Sequence, residues 1–312
     1  MSTDHTLKGI LFAFAAFAAF SFSDAAVKMI EGALSSFEMA FLGAVFGLTG
    51  LPFLMKRGDS ALDMLRTTNR PLWLLRAFSA AFGTISSVTA FTHLPMAEAF
   101  ALIFLLPSFV TIMSVLFLKE TVGIKRWSAV AIGFLGVLIV LRPGFRELSI
   151  GHVGAVFAGL SGAISIVVYR AIGPTEKSVS LYGAGVIGSL VVCGLLMLPS
   201  FAWPTASQWL MLAGYGLLAA LATILLMYAT SYAPAALVGP TQYSQMLWAV
   251  LFGYLIFGDV VDLPMVLGIL LIIGSGMLTL ARECARGVPL PPAVAADPQG
   301  NAMAAVDEAL DN

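Results

Sequence analysis

Ten apolar runs, most of them long enough to carry a helix across a lipid bilayer, fill almost all of this chain of 312 residues. A helix rises about 1.5 Å per residue, so about 20 mostly apolar residues cross the hydrocarbon layer. The runs are 7–28, 35–55, 71–91, 97–118, 127–142, 151–172, 180–201, 208–231, 236–257 and 264–281. Polar segments such as KRGDSALDMLRTTNRP, KETVGIKR, RPGFREL and PSFAWPTAS separate them. The fifth run is short, and the break before the ninth rests on Pro234 within SYAPAAL. Charged residues make up 11% of the chain, against about 25% in a soluble domain. So few cannot cover a water-facing surface, and lipid must be the solvent. Lipid offers backbone groups no partner, so the expected fold is an all-α integral membrane protein of ten transmembrane helices.

Basic residues set the orientation. With both termini in the cytoplasm, thirteen of the sixteen lysines and arginines lie inside, and only Lys28, Arg142 and Arg146 lie outside. An odd number of spans would misplace part of this charge. The expected location is a bacterial inner membrane. After Arg282 the chain turns rich in Pro, Ala and acids without an apolar period, which predicts a disordered cytoplasmic tail over 284–312.

An internal repeat divides the rest. LPMAEAFALIFLLPSFVTIMSVLFLKE (94–120) matches APAALVGPTQYSQMLWAVLFGYLIFGD (233–259) at a shift of 139 residues, Pro95 on Pro234, Ala97 on Ala236 and Glu120 on Asp259. The expected units are 1–147 and 148–283, five spans each. Five is odd, so the halves must cross the membrane in opposite senses, the inverted repeat of many secondary transporters, whose site lies between the halves.

Chemistry-bearing motifs are sparse. Cys193 and Cys284 stand apart, and His5, His93 and His152 are scattered, so no disulfide framework, metal site or cofactor is expected. Net charge −1 gives no sign of nucleic acid. GLSG at 159–162 has no histidine after it to serve as a base, and no phosphate-binding loop is present, so no catalytic residue is expected. Small-residue packing is the better reading of GLSG.

FSFSDAAVKMIEG (20–32) places an acid and a base inside the first span. Charge in the bilayer centre costs several kcal/mol (about 3 to above 10), so such residues face a cavity or each other. Asp24 and Lys28, four apart, share a face that Phe17 and Phe20 extend. Ala15, Ala19 and Ser23 form a small-residue stripe beside it. Glu31 and Glu38 read as acids snorkelling to the interface; Asp24 is shorter and deeper, and reads as lining the pathway or pairing with Lys28. Glu98, beyond the turn that follows His93, is a second pathway candidate. Ser161, Ser165 and Tyr169 stripe the sixth span, and TQYSQMLW brings Gln242, Tyr243, Gln245 and Trp248 together in the ninth. Amides with aromatics suit a small ring-bearing solute. Ser79, Gly83 and Ser86 in the third span read as helix packing, Glu120 and Asp259 as turn or interface anchors.

LRAFSAAFGTISSVTAFTHLPMAEAFALIFLLPSFVTIMSVLFLKETVGIKRWSAVAIGFLGVLIVLRPG (75–144) resembles the first module of the drug/metabolite transporter superfamily, EamA type, and YAPAALVGPTQYSQMLWAVLFGYLIFGD (232–259) its second. The residues that carry the likeness include Arg76, Pro95, Pro107, Glu120, Arg126-Trp127, Gly136, Arg142-Pro143, Pro240, Phe257-Gly258 and Gly268. The resemblance implies ten spans, two inverted halves, and alternating access around a central cavity for amino acids, nucleotide-like metabolites, vitamins or drugs. Two departures are the arginine missing after Phe37-Glu38 and Asp259 in place of the usual glutamate. DAAVK followed by SSFEMAF looks most like the riboflavin and S-adenosylmethionine uptake branches. The reading is a secondary-active carrier of a small organic metabolite, one half rocking on the other, with riboflavin-like uptake first. S-adenosylmethionine uptake and amino-acid or metabolite export are alternatives, as are, from other classes, a lipid flippase or a membrane-embedded enzyme. A coupling proton or exchanged solute and a monomer or homodimer complete the expectation.

Overall fold

Every backbone group that lipid surrounds must bond within its own helix, and the described residues meet this with helices and turns alone, no strand among them. The computed structural model describes residues 3–30, 33–55, 59–117, 119, 123–142, 147–172, 176–232 and 239–285; the expected tail falls almost wholly outside them. The helices are α1 (Thr3–Lys28), α2 (Ser36–Gly47, prolonged through Leu48–Gly50 and Leu51–Leu54) and α3 (Arg70–His93). Next come α4, in two segments (Met96–Ile103 and Leu106–Phe117), α5 (Ile124–Leu141) and α6 (Ile150–Ile172). The last four are α7 (Ser178–Met197), α8 (Ala206–Tyr232), α9 (Ser244–Phe257, after a tight turn at Gly239–Tyr243) and α10 (Leu263–Ala285). Seven are long and apolar enough to cross a membrane. At the fifth, ninth and tenth positions the apolar helices are shorter: Trp127–Leu141, Ser244–Phe257 and Leu263–Met277.

Local chemistry explains the helix ends. The Ser35 side chain accepts the Glu38 N–H and starts α2, and Asn69 does the same for the Leu72 N–H at α3. At Gly258, α9 stops in a left-handed turn (φ 68°) that glycine adopts without strain. Pro107 has no N–H to give the Ile103 carbonyl, which breaks α4 at Phe104–Leu105. Gly159 of α6 fits against that carbonyl, where a Cβ would stand 2.8 Å from the oxygen.

Contacts between helix ends fix the direction of each pass. The end of α1 (Lys28), the α3–α4 turn, the starts of α2 and α6 and the end of α9 meet at one face, here the Lys28 end. The starts of α3 and α7 meet at the opposite face, the Lys177 end. So α1 starts at the Lys177 end and α6 at the Lys28 end, and the two five-helix halves are inverted.

The halves do not sit side by side. Eight helices follow one another around a ring in the order α1, α8, α2, α7, α3, α6, α4, α9 and back to α1, with α5 and α10 paired outside α4 and α9. Each neighbour in the ring comes from the other half, and exchanging helix n with helix n+5 reproduces the ring. Each helix of the ring thus packs chiefly against helices of the other half.

Small residues at these crossings let backbones touch. A Cβ on Gly154 of α6 would stand 2.6 Å from the Ser86 carbonyl of α3; on Gly216 of α8, 2.7 Å from the Gly43 carbonyl of α2. Ser79 donates to the Ser161 carbonyl at 2.9 Å, and Gly83 lies against the Ser161 side chain, so the third-span stripe packs as expected, and so does GLSG. On α1 the packed stripe is Ala16, Ala19 and Ser23 (Ser23 donates 2.7 Å to the Tyr215 carbonyl), whereas Ala15 faces outward. Gly154→Val is expected to lower stability by about 3 kcal/mol through overpacking, read by thermal melting in detergent. Gly274→Ala, with nothing within 4 Å of the new methyl, is expected to be neutral. Equal melting of the two variants would contradict this packing.

Candidate functional site

The interior is unequal at its two ends. In the Lys28 half one apolar cluster joins Val27, Met39, Phe91, Phe100, Leu212, Met246 and Met265, drawing on both halves of the chain and on α5 and α10. In the Lys177 half the buried apolar side chains fall into separate clusters. One joins α1 to α8 through Phe17, Phe20, Ala222 and Leu226. Another joins α4, α6 and α7 through Val110, Ile166 and Leu181; a third joins α2 to α7. Among the described residues, the buried apolar side chains thus form one joined cluster in the Lys28 half and several separate ones in the Lys177 half.

Polar ties reinforce the Lys28 end, and the first turn of α4 is their centre. The Lys28 ammonium donates to Asp259 Oδ2 (3.0 Å) and to the Leu94 carbonyl (3.0 Å), and lies 4.8 Å over the Phe257 ring. The same Asp259 oxygen accepts the Met96 N–H at 3.1 Å. Two residues on, Glu98 meets His152 of α6, Oε1 to Nε2, at 3.2 Å. His152 Nδ1 accepts the Ser149 N–H (2.9 Å), so the proton of the neutral ring is on Nε2, which donates to Glu98. Arg142 pairs with Asp262 at the same end. All of these but the Lys28–Leu94 bond cross from one half of the chain to the other.

The Lys177 end is held partly by exposed groups. Lys177 donates to Asp59 (2.9 Å) and Asp63 (2.8 Å) across the loop before α3. These bonds hold the Asp63 carboxyl below its ordinary range. Glu176 accepts from the Thr67 hydroxyl and from the Thr68 and Asn69 N–H groups; burial works against its charge, but the bonds outweigh it and its carboxyl lies low. Exposed pairs contribute about 0–1 kcal/mol, whereas breaking a buried pair costs about 3–5 kcal/mol. Buried bonds also join α3 to α7 here, Trp73 Nε1 to the Ser180 carbonyl and Arg76 Nε to the Leu181 carbonyl.

The residues singled out in the sequence distribute over this frame. Asp24 is fully buried in α1, four residues before Lys28, whose ammonium reaches Asp259. Phe17 and Phe20 pack against α8. Glu98 is buried on His152, and Ser165 is buried in α6. The side chain of Tyr169 lies outside the described residues, as do Glu31 and Glu120. Gln242 and Trp248 are half-buried. Tyr243 stacks on Phe104 (5.4 Å between centroids) at a small cleft that also touches Ser108 and Ser275. Gln245 is fully buried, and neither its amide oxygen nor its nitrogen has a hydrogen-bond partner.

Three residues depart from the sequence reading. Glu38 does not snorkel to the interface: its side chain is wholly buried, because the α7–α8 loop folds over it. Asp259 is an anchor, but one that reaches 231 residues back to Lys28. His152, passed over at a span boundary, is the partner of Glu98. The shift that aligns Glu120 with Asp259 marked Asp259, and FSFSDAAVKMIEG marked Lys28, but nothing local marked the two as partners.

A helical membrane bundle of two inverted, interleaved halves is an architecture found among membrane transporters. The chain belongs to the EamA-like transporter family, whose model matches residues 7–142 and 149–281, once per half. It is 27% identical over 269 residues to the S-adenosylmethionine uptake transporter of Rickettsia bellii (84% of this chain, 90% of that one). It is 32% identical over 262 residues to the riboflavin transporter of Vibrio cholerae (81% and 86%) and 26% over 286 residues to the pseudopaline exporter of Pseudomonas aeruginosa (91% and 100%). A solved crystal structure shares the fold with a TM-score of 0.58 at 18% identity, over 93% of this chain and 100% of that one. The protein is an EamA-type transporter of small metabolites.

Lys28→Met and Asp259→Asn are each expected to lower stability by about 3 kcal/mol, since each strands a buried partner. The double variant should lose at least about 1 kcal/mol less than the sum. Additive losses in detergent melting would show that the two groups do not act as a pair.

Proposed function

We propose that this protein is a secondary-active carrier that takes up a small, ring-bearing organic solute, riboflavin or a close relative, by alternating access through the centre of the helix ring. The observation that carries the site is Gln245. A buried amide without a partner costs about 1–3 kcal/mol, and a carrier recovers this when a solute supplies the missing bonds. Ser244 beside it is likewise buried with an unpartnered hydroxyl. Around them we place Phe17, Phe20, Asp24, Lys28, Glu98, Ser165, Tyr169, Gln242, Tyr243 and Trp248 as pathway residues. The aromatics would stack on rings and the amides bond polar edges.

The joined cluster at the Lys28 end and the separate clusters at the Lys177 end support access from the Lys177 end in this state. The distribution of Lys and Arg supports placing that end, with both termini, in the cytoplasm of an inner-membrane protein. Because the halves interleave, opening the Lys28 end means parting the first turn of α4 from α1, α6 and α9, not swinging five helices as a body. The names of the relatives favour riboflavin or S-adenosylmethionine uptake, with export of a metabolite as the second reading.

Cells expressing the protein should take up one labelled solute from a panel of riboflavin, S-adenosylmethionine, aromatic amino acids and cysteine, saturably and above empty vector. Gln245→Leu should reduce that uptake at least tenfold while the protein remains in the membrane. Flat uptake of the whole panel would overturn the uptake reading, and full uptake by Gln245→Leu would remove Gln245 from the site.

A further inference from the structure

We infer that Glu38 is a proton-binding site, a carboxyl held as the neutral acid while the Lys28 end is sealed and ionised when that end opens, and that this proton couples transport. The inference rests on the carrier reading for its coupling role and on Glu38's own surroundings for its protonation. Glu38 lies in the first turn of α2 and is wholly inaccessible to solvent. Its Oε2 accepts only a long bond from the Ala202 N–H (3.5 Å), and its Oε1 has no partner.

Among the described residues, no neighbour on the elements packed against α2 supplies a counter-charge. α2 packs against α7, α8 and α3. From Ser178 to Tyr232, all of α7, its loop and all of α8, the sequence holds no Asp, Glu, Lys, Arg or His, and α2 through Leu54 holds no other charged residue. At this end α3 contributes only His93, which is exposed and bonded to Thr89 and Thr92. Its Arg70 and Arg76 lie toward the other end. α1 contributes Asp24 and Lys28, and the ammonium of Lys28 is taken by Asp259 and Leu94.

An unpaired carboxylate buried in apolar surroundings is costly, and such groups neutralise instead. A metal cation could also neutralise it, but hard cations need six or more oxygen ligands, and no cluster of ligating side chains occurs among the described residues. A proton needs only the carboxylate. The step balances simply: a hydronium ion arriving from water at the opened Lys28 end gives its proton to the carboxylate, leaving water and the neutral acid. Water favours the ionised form and the seal the neutral one, so proton binding and closure of the Lys28 end promote each other.

Infrared difference spectra of the purified protein in lipid, wild type minus Glu38→Gln at neutral pH, test the protonation directly. The carbonyl stretch of a neutral carboxylic acid in apolar surroundings should be present in the wild type and missing from the variant. In Glu38→Asp, which keeps a carboxyl if the amide disturbs folding, the band should shift without disappearing. No such band would overturn the proposal. In proteoliposomes loaded with the solute identified from the panel, Glu38→Gln should keep solute exchange but lose at least tenfold of acid-driven accumulation. Acid-driven accumulation equal to wild type would overturn the coupling role. Failure of the wild type to move any solute would count against the carrier reading alone, since the infrared band decides the protonation by itself.

Discussion

Close approach of helix backbones from opposite halves of the chain is the constraint on which the rest of the structure depends. In lipid no hydrophobic force draws one apolar helix to another, so association rests on van der Waals contact, hydrogen bonds and fit. The glycines supply that fit where the halves cross: Gly154 on α3, Gly159 on the broken α4, Gly216 on α2, and Gly136 against Gly268 between α5 and α10. With every ring neighbour drawn from the other half, a change at one crossing reaches both repeats.

The first turn of α4 shows how the Lys28 end is tied. Leu94, Met96 and Glu98, within five residues, receive Lys28 from α1, Asp259 from beyond α9 and His152 from α6. A proline before the helix and another at its break give this turn defined ends. Buried ion pairs are weak evidence for stability in general, because desolvation offsets their attraction. Here they do something a hydrophobic contact would do poorly, since water entering an opened end solvates the separated charges and lowers the cost of parting them.

Much of the architecture was legible in the sequence, because apolar length and basic-residue placement are local signals. The ten runs, the inverted halves and the packing role of Ser79, Gly83 and Ser86 follow from counting and spacing. The interleaving was not legible, since a repeat tells which segments correspond and not which ones touch. The site was legible in part. Gln245 stood out as an amide in an apolar helix, and burial without a partner sharpens that signal. Lys28 drew notice, but its partner is 231 residues away. Glu38 misled because its position near a span end is where acids usually snorkel; the α7–α8 loop, whose Ala202 N–H reaches its carboxyl, is a contact no spacing rule predicts.

The account turns on one asymmetry among the described residues, apolar side chains joined in one cluster at the Lys28 end and divided among several at the Lys177 end. It is tested most directly by thiol labelling of single cysteines at Gln242 and Leu94, in membranes of known orientation and with Cys193 and Cys284 replaced. A membrane-impermeant maleimide should reach position 242 from the Lys177 face and should not reach position 94 from the Lys28 face. Rapid labelling at 94 with protection at 242 would contradict it.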